Sequence, residues 1–290
     1  MGHNAPMVEP FDVGSECPVA FVLGGGGALG AHEVGMLRAL LEDGICPDVI
    51  LGTSVGAVNG AVIAADPSVG QAARLAEMWS AIDRAGVFGG SMISRLGTFA
   101  RSRTHFHGHG PLQRVLEENV TVERIEDLAV PFECVAASIE RASEHWFTEG
   151  PLIEAVLASA AVPGLLPPVQ IDGEHFVDGG VVNSIPVGRA VLLGARTIYV
   201  LQVGRLERGL EPPRWPWEVG LVAFEIARRH RFTGDMAALP EGVAVHVLPT
   251  GETSPPRYND LSQLRYRDFS HIAPRIERAY EASKRYLATA

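Results

Sequence analysis

Twice near its start this chain runs from a short apolar segment through glycine into a helix-patterned segment, and that repetition restricts the available folds more than any other feature. Pro18 to Leu23 (PVAFVL) ends in four glycines, Gly24 to Gly27. Gly30 to Asp43 follows with Val34, Met36, Leu37, Leu40 and Leu41 near helical spacing, and Gly44 supplies the stop. Asp48 to Thr53 (DVILGT) then meets Ser54, and Gly56 to Ala65 continues as a helix of small residues that can lie close to a sheet. Strands that are apolar throughout rather than alternating are buried on both faces. The order strand, helix, strand, helix therefore predicts an α/β fold, a mainly parallel central sheet flanked by helices.

The same alternation continues downstream. Strands are expected at Phe132 to Ile139, His145 to Thr148, His175 to Val177, Thr197 to Val203 and Val243 to Leu248. Helices are expected at Leu152 to Ala161, Pro186 to Gly194, Glu218 to His230 and Ile272 to Leu287. An apolar content of 47% over 290 residues, with 20% charged, is that of a globular chain and not a disordered one. We expect a single domain over residues 17–290, preceded by a flexible tail, 1–16, that lacks the basic start and apolar run of a secretory signal. With no apolar stretch long enough to span a bilayer, the expected address is cytoplasmic, with any membrane contact peripheral.

Composition also removes functions. A net charge of −10 repels phosphate backbones, so nucleic acid is not an expected partner. The sole lysine, Lys284, lies near the end of the last helical pattern, which excludes a Walker A loop. Cys17, Cys46 and Cys134 have neither even number nor C-x-x-C spacing, so they read as reduced thiols. His105, His107 and His109 alternate as ligands on a strand would, but Gly108 and Gly110 break such a strand and no metal is expected. Trp215-Pro216-Trp217 reads as a turn packed on the core, with an interfacial anchor as the other reading.

Three constellations carry chemistry. Gly52-Thr53-Ser54-Val55-Gly56 is a G-x-S-x-G between a predicted strand and a predicted helix, where small residues on either side of the serine let a tight turn lift its hydroxyl to the sheet edge. The Val55 N–H and the helix start behind it favour developing negative charge there. The glycine run contains G-x-G-x-x-G at Gly25, Gly27 and Gly30, which suits a dinucleotide or an oxyanion hole. A dinucleotide needs an acid at the end of the second strand, and that strand ends in Thr53 and Ser54. No dinucleotide is therefore expected, and the N–H groups of Gly25, Gly26 and Gly27 are read as an oxyanion hole. Third, Asp178-Gly179-Gly180 follows a short strand, and an acid followed by two glycines can be projected from a turn toward a serine; alone, such a triplet is more often a surface turn.

In order and spacing, Gly25 to Gly30, G-T-S-V-G, Ala158 to Val169 (ASAAVPGLLPPV) and Asp178 to Asn183 with Pro186 together resemble the patatin-like phospholipases over roughly residues 18 to 290. The resemblance implies a lipid acyl hydrolase with a Ser-Asp dyad, no histidine and no cofactor. Ser54 would be the nucleophile, Asp178 the general base, and Gly25 to Gly27 the oxyanion hole, with Gly30, Gly52, Gly56, Gly179 and Gly180 as motif glycines. Leu29 stands where many members of that family carry a basic residue, so charge-based help at that position is absent.

Two rivals stand beside this reading. A Ser-His-Asp hydrolase would use Ser54, Asp178 and a late histidine, for which His271 is best placed in chain order. A non-catalytic module would use the same glycine loops to hold an anion or lipid. Finally, the segment 85–111 contains no acid, three arginines (Arg95, Arg101, Arg103) and six glycines among apolar residues. It fits either a lid that meets anionic lipid through those arginines or an irregular cover packed on the core.

Overall fold

The computed structural model describes residues 18–85, 108–203, 209–252 and 272–289. The expected N-terminal tail, Cys17, Arg95, Arg101, Arg103, His105, His107 and His271 lie outside the described residues. Among the described residues eight strands form one sheet: β1 (Val19–Leu23), β2 (Val49–Thr53), β3 (Phe132–Ser138), β4 (Ser143–Phe147), β5 (Val169–Ile171), β6 (Glu174–Asp178), β7 (Thr197–Leu201) and β8 (Ala244–Val247). The described helices are α1 (Ala31–Glu42), α2 (Val55–Ala65), α3 (Val69–Ala85), α4 (Gly110–Asn119), α5 (Leu152–Ser159), α6 (Val187–Leu192), α7 (Pro216–Ala237) and α8 (Ile272–Leu287).

The strand order is β5-β6-β3-β2-β1-β7-β8, with β4 also paired to β3. From β3 through β8 the pairing is parallel, as the apolar strand runs predict. The pairs β3–β4, β3–β6 and β5–β6 are antiparallel. Along β1 and β2 successive side chains serve opposite cores. Phe21, Leu23 and Ile50 enter the layer with α1, α2, α3, α5 and α8, whereas Ala20, Val22, Val49 and Leu51 enter the layer with α6 and α7. Both faces are therefore covered. The chain turns back at β1, with β2 on one side and β7 on the other, and such a reversal leaves a crevice beyond the strands' C-terminal ends.

The outcome departs from the sequence reading in a few places. The glycine run enters α1 through a 3-10 turn, Gly27–Gly30, instead of opening the helix directly. Helix α3 was not expected, although Ala72, Leu75 and Met78 mark its buried face at helical spacing. Both described ends of the segment 85–111 are helical, since Ala85 ends α3 and Gly110-Pro111 opens α4 with proline in its first turn, and residues 86–107 lie outside the described residues. Trp215 is 57% exposed at the entry to α7, so the reading of a turn packed on the core is not met there.

Helix α8 seals α1 from outside. Its Ile276 and Ala279 are buried, and Arg38 of α1 stacks over the Tyr280 ring at 3.9 Å while the Tyr280 hydroxyl donates to Glu42 at 2.7 Å. The approach depends on Gly35, where an added Cβ would stand 2.1 Å from the Ile276 carbonyl oxygen and 2.7 Å from the Tyr280 nitrogen. Both obstacles are backbone, so no rotamer relieves them. Gly35→Ala is expected to separate the two helices and lower stability by about 1–3 kcal/mol or more, read as a fall in the thermal unfolding midpoint.

Candidate active site

Strand β3 creates the site by lending one edge to two strands. Its first half pairs with β2, ending with Thr53 opposite Val135. Its second half pairs with β6 running the other way, ending with Asp178 opposite Ala136. Because β4 pairs with Cys134 through Ser138 on the other edge, β2 and β6 approach head to head along the same one. Ser54 and Asp178, 124 residues apart in sequence, meet at that junction.

The local chain conformation completes the approach. Ser54 has φ 57° and ψ −121°, a left-handed conformation that a serine adopts only under constraint, at about 1–3 kcal/mol. Its flanking glycines are required by backbone proximity: a Cβ on Gly52 would lie 2.5 Å from the Ala57 Cα, and one on Gly56 would lie 2.3 Å from the Leu23 carbonyl oxygen. The turn thus fits between β1, β2 and α2 only with bare backbone on both sides of the serine. The Ser54 N–H donates to the Ser159 hydroxyl at 3.0 Å, and its side-chain hydroxyl donates to Asp178 Oδ2 at 2.5 Å.

Asp178 is 4% exposed. Its other oxygen, Oδ1, accepts the Gly180 N–H at 2.7 Å, so the carboxylate is oriented from both ends. Burial pushes its carboxyl up to about 6, against the opposing pull of the bonds from Ser54 and Gly180. A carboxylate of that basicity is a far better proton acceptor than an ordinary aspartate, yet it remains ionised at neutral pH.

The glycine loop lies beside the serine, where a Cβ on Gly25 would be 3.4 Å from the Ser54 Cβ. The Gly25 N–H, however, donates to the Ser184 carbonyl at 3.0 Å and is therefore occupied. Among the described residues the N–H groups of Gly26 and Gly27 have no such acceptor. Gly26 is packed against Val203, and Gly30 against Val55 of α2. Gly179 sits on the Val135 carbonyl, and Gly180 lies between Asp178 and Phe224.

Three residues that the sequence reading passed over hold this loop from behind. Trp79 Nε1 donates to Asn59 Oδ1 at 2.9 Å, and Asn59 Nδ2 donates to Gly30 O at 3.0 Å and to Glu33 Oε2 at 2.7 Å. Burial holds the Glu33 carboxyl well above the usual range. The cluster ties α1, α2 and α3 together behind the two turns. Only Ser159, inside the ASAAVPGLLPPV stretch, had a motif to mark it.

Among the described residues no group of three or more His, Cys, Asp or Glu is arranged to hold a metal, and His109 instead bonds the Pro167 carbonyl at 2.8 Å. No described helix is long and apolar enough to cross a membrane.

A strained serine at a strand-to-helix elbow, bonded directly to a buried carboxylate and bordered by glycine N–H groups that have no backbone acceptor among the described residues, marks the crevice end of this α/β fold. The patatin-like phospholipase family profile matches residues 21–191. The chain belongs to that family. It is 35% identical over 194 residues to lysophospholipase NTE1 of Mycosarcoma maydis, covering 65% of this chain and 10% of that protein. It is 36% identical over 190 residues to patatin-like phospholipase domain-containing protein 7 of Rattus norvegicus, covering 64% of this chain and 14% of that protein. Among solved structures, VipD from Legionella pneumophila aligns with a TM-score of 0.47 at 13% identity, over 95% of this chain and 67% of that one. The chain thus spans about a tenth to a seventh of the length of these curated relatives.

The buried carboxylate links the site to stability. In the unfolded chain Asp178 titrates near 3.8, in the fold near 6, so its ionisation weakens the fold as pH rises through that window and the cost persists above it. In Asp178→Asn the amide oxygen can still accept from Gly180, and its NH2 can donate to a reversed Ser54 hydroxyl. The variant is expected to melt higher than the parent at pH 8, with the gap closing below pH 4. Thermal scans across that range check the sign.

Proposed function

We propose that this chain hydrolyses carboxylic esters of lipids through an acyl-enzyme on Ser54, with Asp178 as general base. The observation that carries the reading is the direct Ser54–Asp178 hydrogen bond of 2.5 Å. In a triad a histidine stands between nucleophile and acid. Here the acid occupies the histidine's place, which favours the dyad over a mechanism through His271.

Asp178 accepts the hydroxyl proton as Ser54 Oγ attacks the ester carbonyl. The oxyanion that forms is met by the N–H groups of Gly26, Gly27 and Val55 at the start of α2, the share first assigned to Gly25 being taken up by Ser184. Collapse expels the alcohol, which takes the proton back from Asp178. Water then attacks the acyl-enzyme with Asp178 again accepting its proton, and Ser54 is released. A carboxylate has no tautomer to be fixed, so no third residue is needed to orient it. Glycerophospholipids carrying one acyl chain are the favoured substrate class, since the relative from Mycosarcoma maydis is named a lysophospholipase.

Ser54→Ala is expected to cost roughly four to six orders of magnitude in ester hydrolysis and to abolish fluorophosphonate labelling, while His271→Ala retains both. Labelling mapped to another serine, or loss of activity in folded His271→Ala, would overturn the dyad. Turnover should also climb about tenfold per pH unit up to about 6 and then level off, because only ionised Asp178 accepts the proton. A pH–rate profile of kcat/KM on a soluble ester reads it.

A further inference from the structure

Helix α7 passes over the segment that follows Asp178, and four of its residues at i, i+4, i+7 and i+11 spacing, which is one helical face, hold that segment, three directly and one through Glu144. Phe224 lies against Gly180. Arg228 Nε donates to Ser184 Oγ at 3.0 Å. Arg231 pairs with Glu144, which in turn accepts from Asn183. Asp235 accepts the Gly188 N–H at 3.1 Å.

Arg228 differs from the other three. It is 5% exposed, and its Nη2 has no hydrogen-bond partner among the described residues. A buried donor left unmade is unfavourable, the more so on a charged group, so a purely structural clamp gains nothing from it. The direction of that donor follows from guanidinium geometry. Nε–H and Nη2–H lie along one edge of the planar fork, the edge with which Arg189 grips both oxygens of Glu133. Nε of Arg228 already points at Ser184, so Nη2 points to the same side. On the opposite side Nη1 is held by Glu225, a carboxylate shared with Arg229 that cannot neutralise both cations.

Ser184 is the link to the reacting centre. Its Oγ lies 3.3 Å from where a Cβ on Gly25 would stand, and that point is 3.4 Å from the Ser54 Cβ. Because Ser184 Oγ accepts from Arg228, its own proton is available to another acceptor. Two donors, Ser184 O–H and Arg228 Nη2–H, thus converge beside the glycine loop, one residue layer out from Ser54. The oxyanion of the reacting carbonyl is assigned above to Gly26 and Gly27, which leaves this pair for another oxygen of the substrate. A charged oxygen several bonds from the carbonyl suits it better. We propose that Arg228, with Ser184, binds a phosphate oxygen of the lipid head group and so sets the preference for phosphate-bearing esters. The inference rests on the lipid-ester reading above and adds the residue that selects among such esters.

The test compares lysophosphatidylcholine with a monoacylglycerol of the same acyl chain, and titrates glycerol 3-phosphate calorimetrically into the full chain. Arg228→Gln is expected to lower the ratio of kcat/KM for the phosphate ester over the neutral ester at least tenfold, mainly through KM, and to weaken glycerol 3-phosphate binding by a similar factor. Ser184→Ala should move both the same way by less. Should Arg228→Gln fail to fold, Arg228→Lys takes its place, keeping a charge for Glu225 but losing the planar edge. Equal losses on both esters, or glycerol 3-phosphate binding that is absent in the parent or undiminished in the variant, would overturn the proposal. Failure of the parent to hydrolyse either ester would count against the lipid-ester reading, while the calorimetry still decides the role of Arg228.

Discussion

One edge of one strand decides where everything else in this molecule must go. β3 accepts β2 along its first half and β6, running the opposite way, along its second. A one-residue slip in either pairing would turn the strand's side chains to the other face and part Ser54 from Asp178. The surrounding structure can be understood as what holds those two registers. β4 occupies the other edge of β3, α5 brings Ser159 to the Ser54 N–H, and α7 fastens the segment beyond Asp178. Few of these contacts are strong individually. Their effect is to leave the junction no alternative arrangement.

The junction is also where the fold is least at ease. Ser54 stands in a strained conformation, and Asp178 is ionised at neutral pH in a site whose burial opposes charge, at a cost of about 3 kcal/mol. Both features are unfavourable to the fold and favourable to proton transfer, the usual direction of compromise between stability and activity. The apolar strands β1 and β2, covered on both faces, supply the stability that offsets them.

The parallel half of the sheet and the serine elbow were legible because each depends on local pattern: unbroken apolar strands, glycine at the turns, small residues in α2. Asp178 was legible only through the ordered set of motifs, since D-G-G by itself is a surface turn. The head-to-head meeting of β2 and β6 was not legible, because pairing partners are fixed by the packing of segments more than a hundred residues apart. The Gly25 N–H shows the same limit at atomic scale. Its sequence context matches that of Gly26 and Gly27, and only the approach of Ser184 distinguishes it. Arg228 carried no signal at all, being one arginine among several in a helix whose outer face is also charged.

The distance along the chain between Ser54 and Asp178 has a kinetic meaning. The serine turn needs only β1, β2 and α2, which contact one another locally and can form early. The carboxylate arrives only when a loop of more than a hundred residues has closed and an antiparallel strand has joined a mostly parallel sheet, which are slow, non-local events. A half-folded chain would therefore carry the serine turn with no carboxylate beside it. Competence for proton transfer would appear in the same step that completes the sheet, and would report the end of folding.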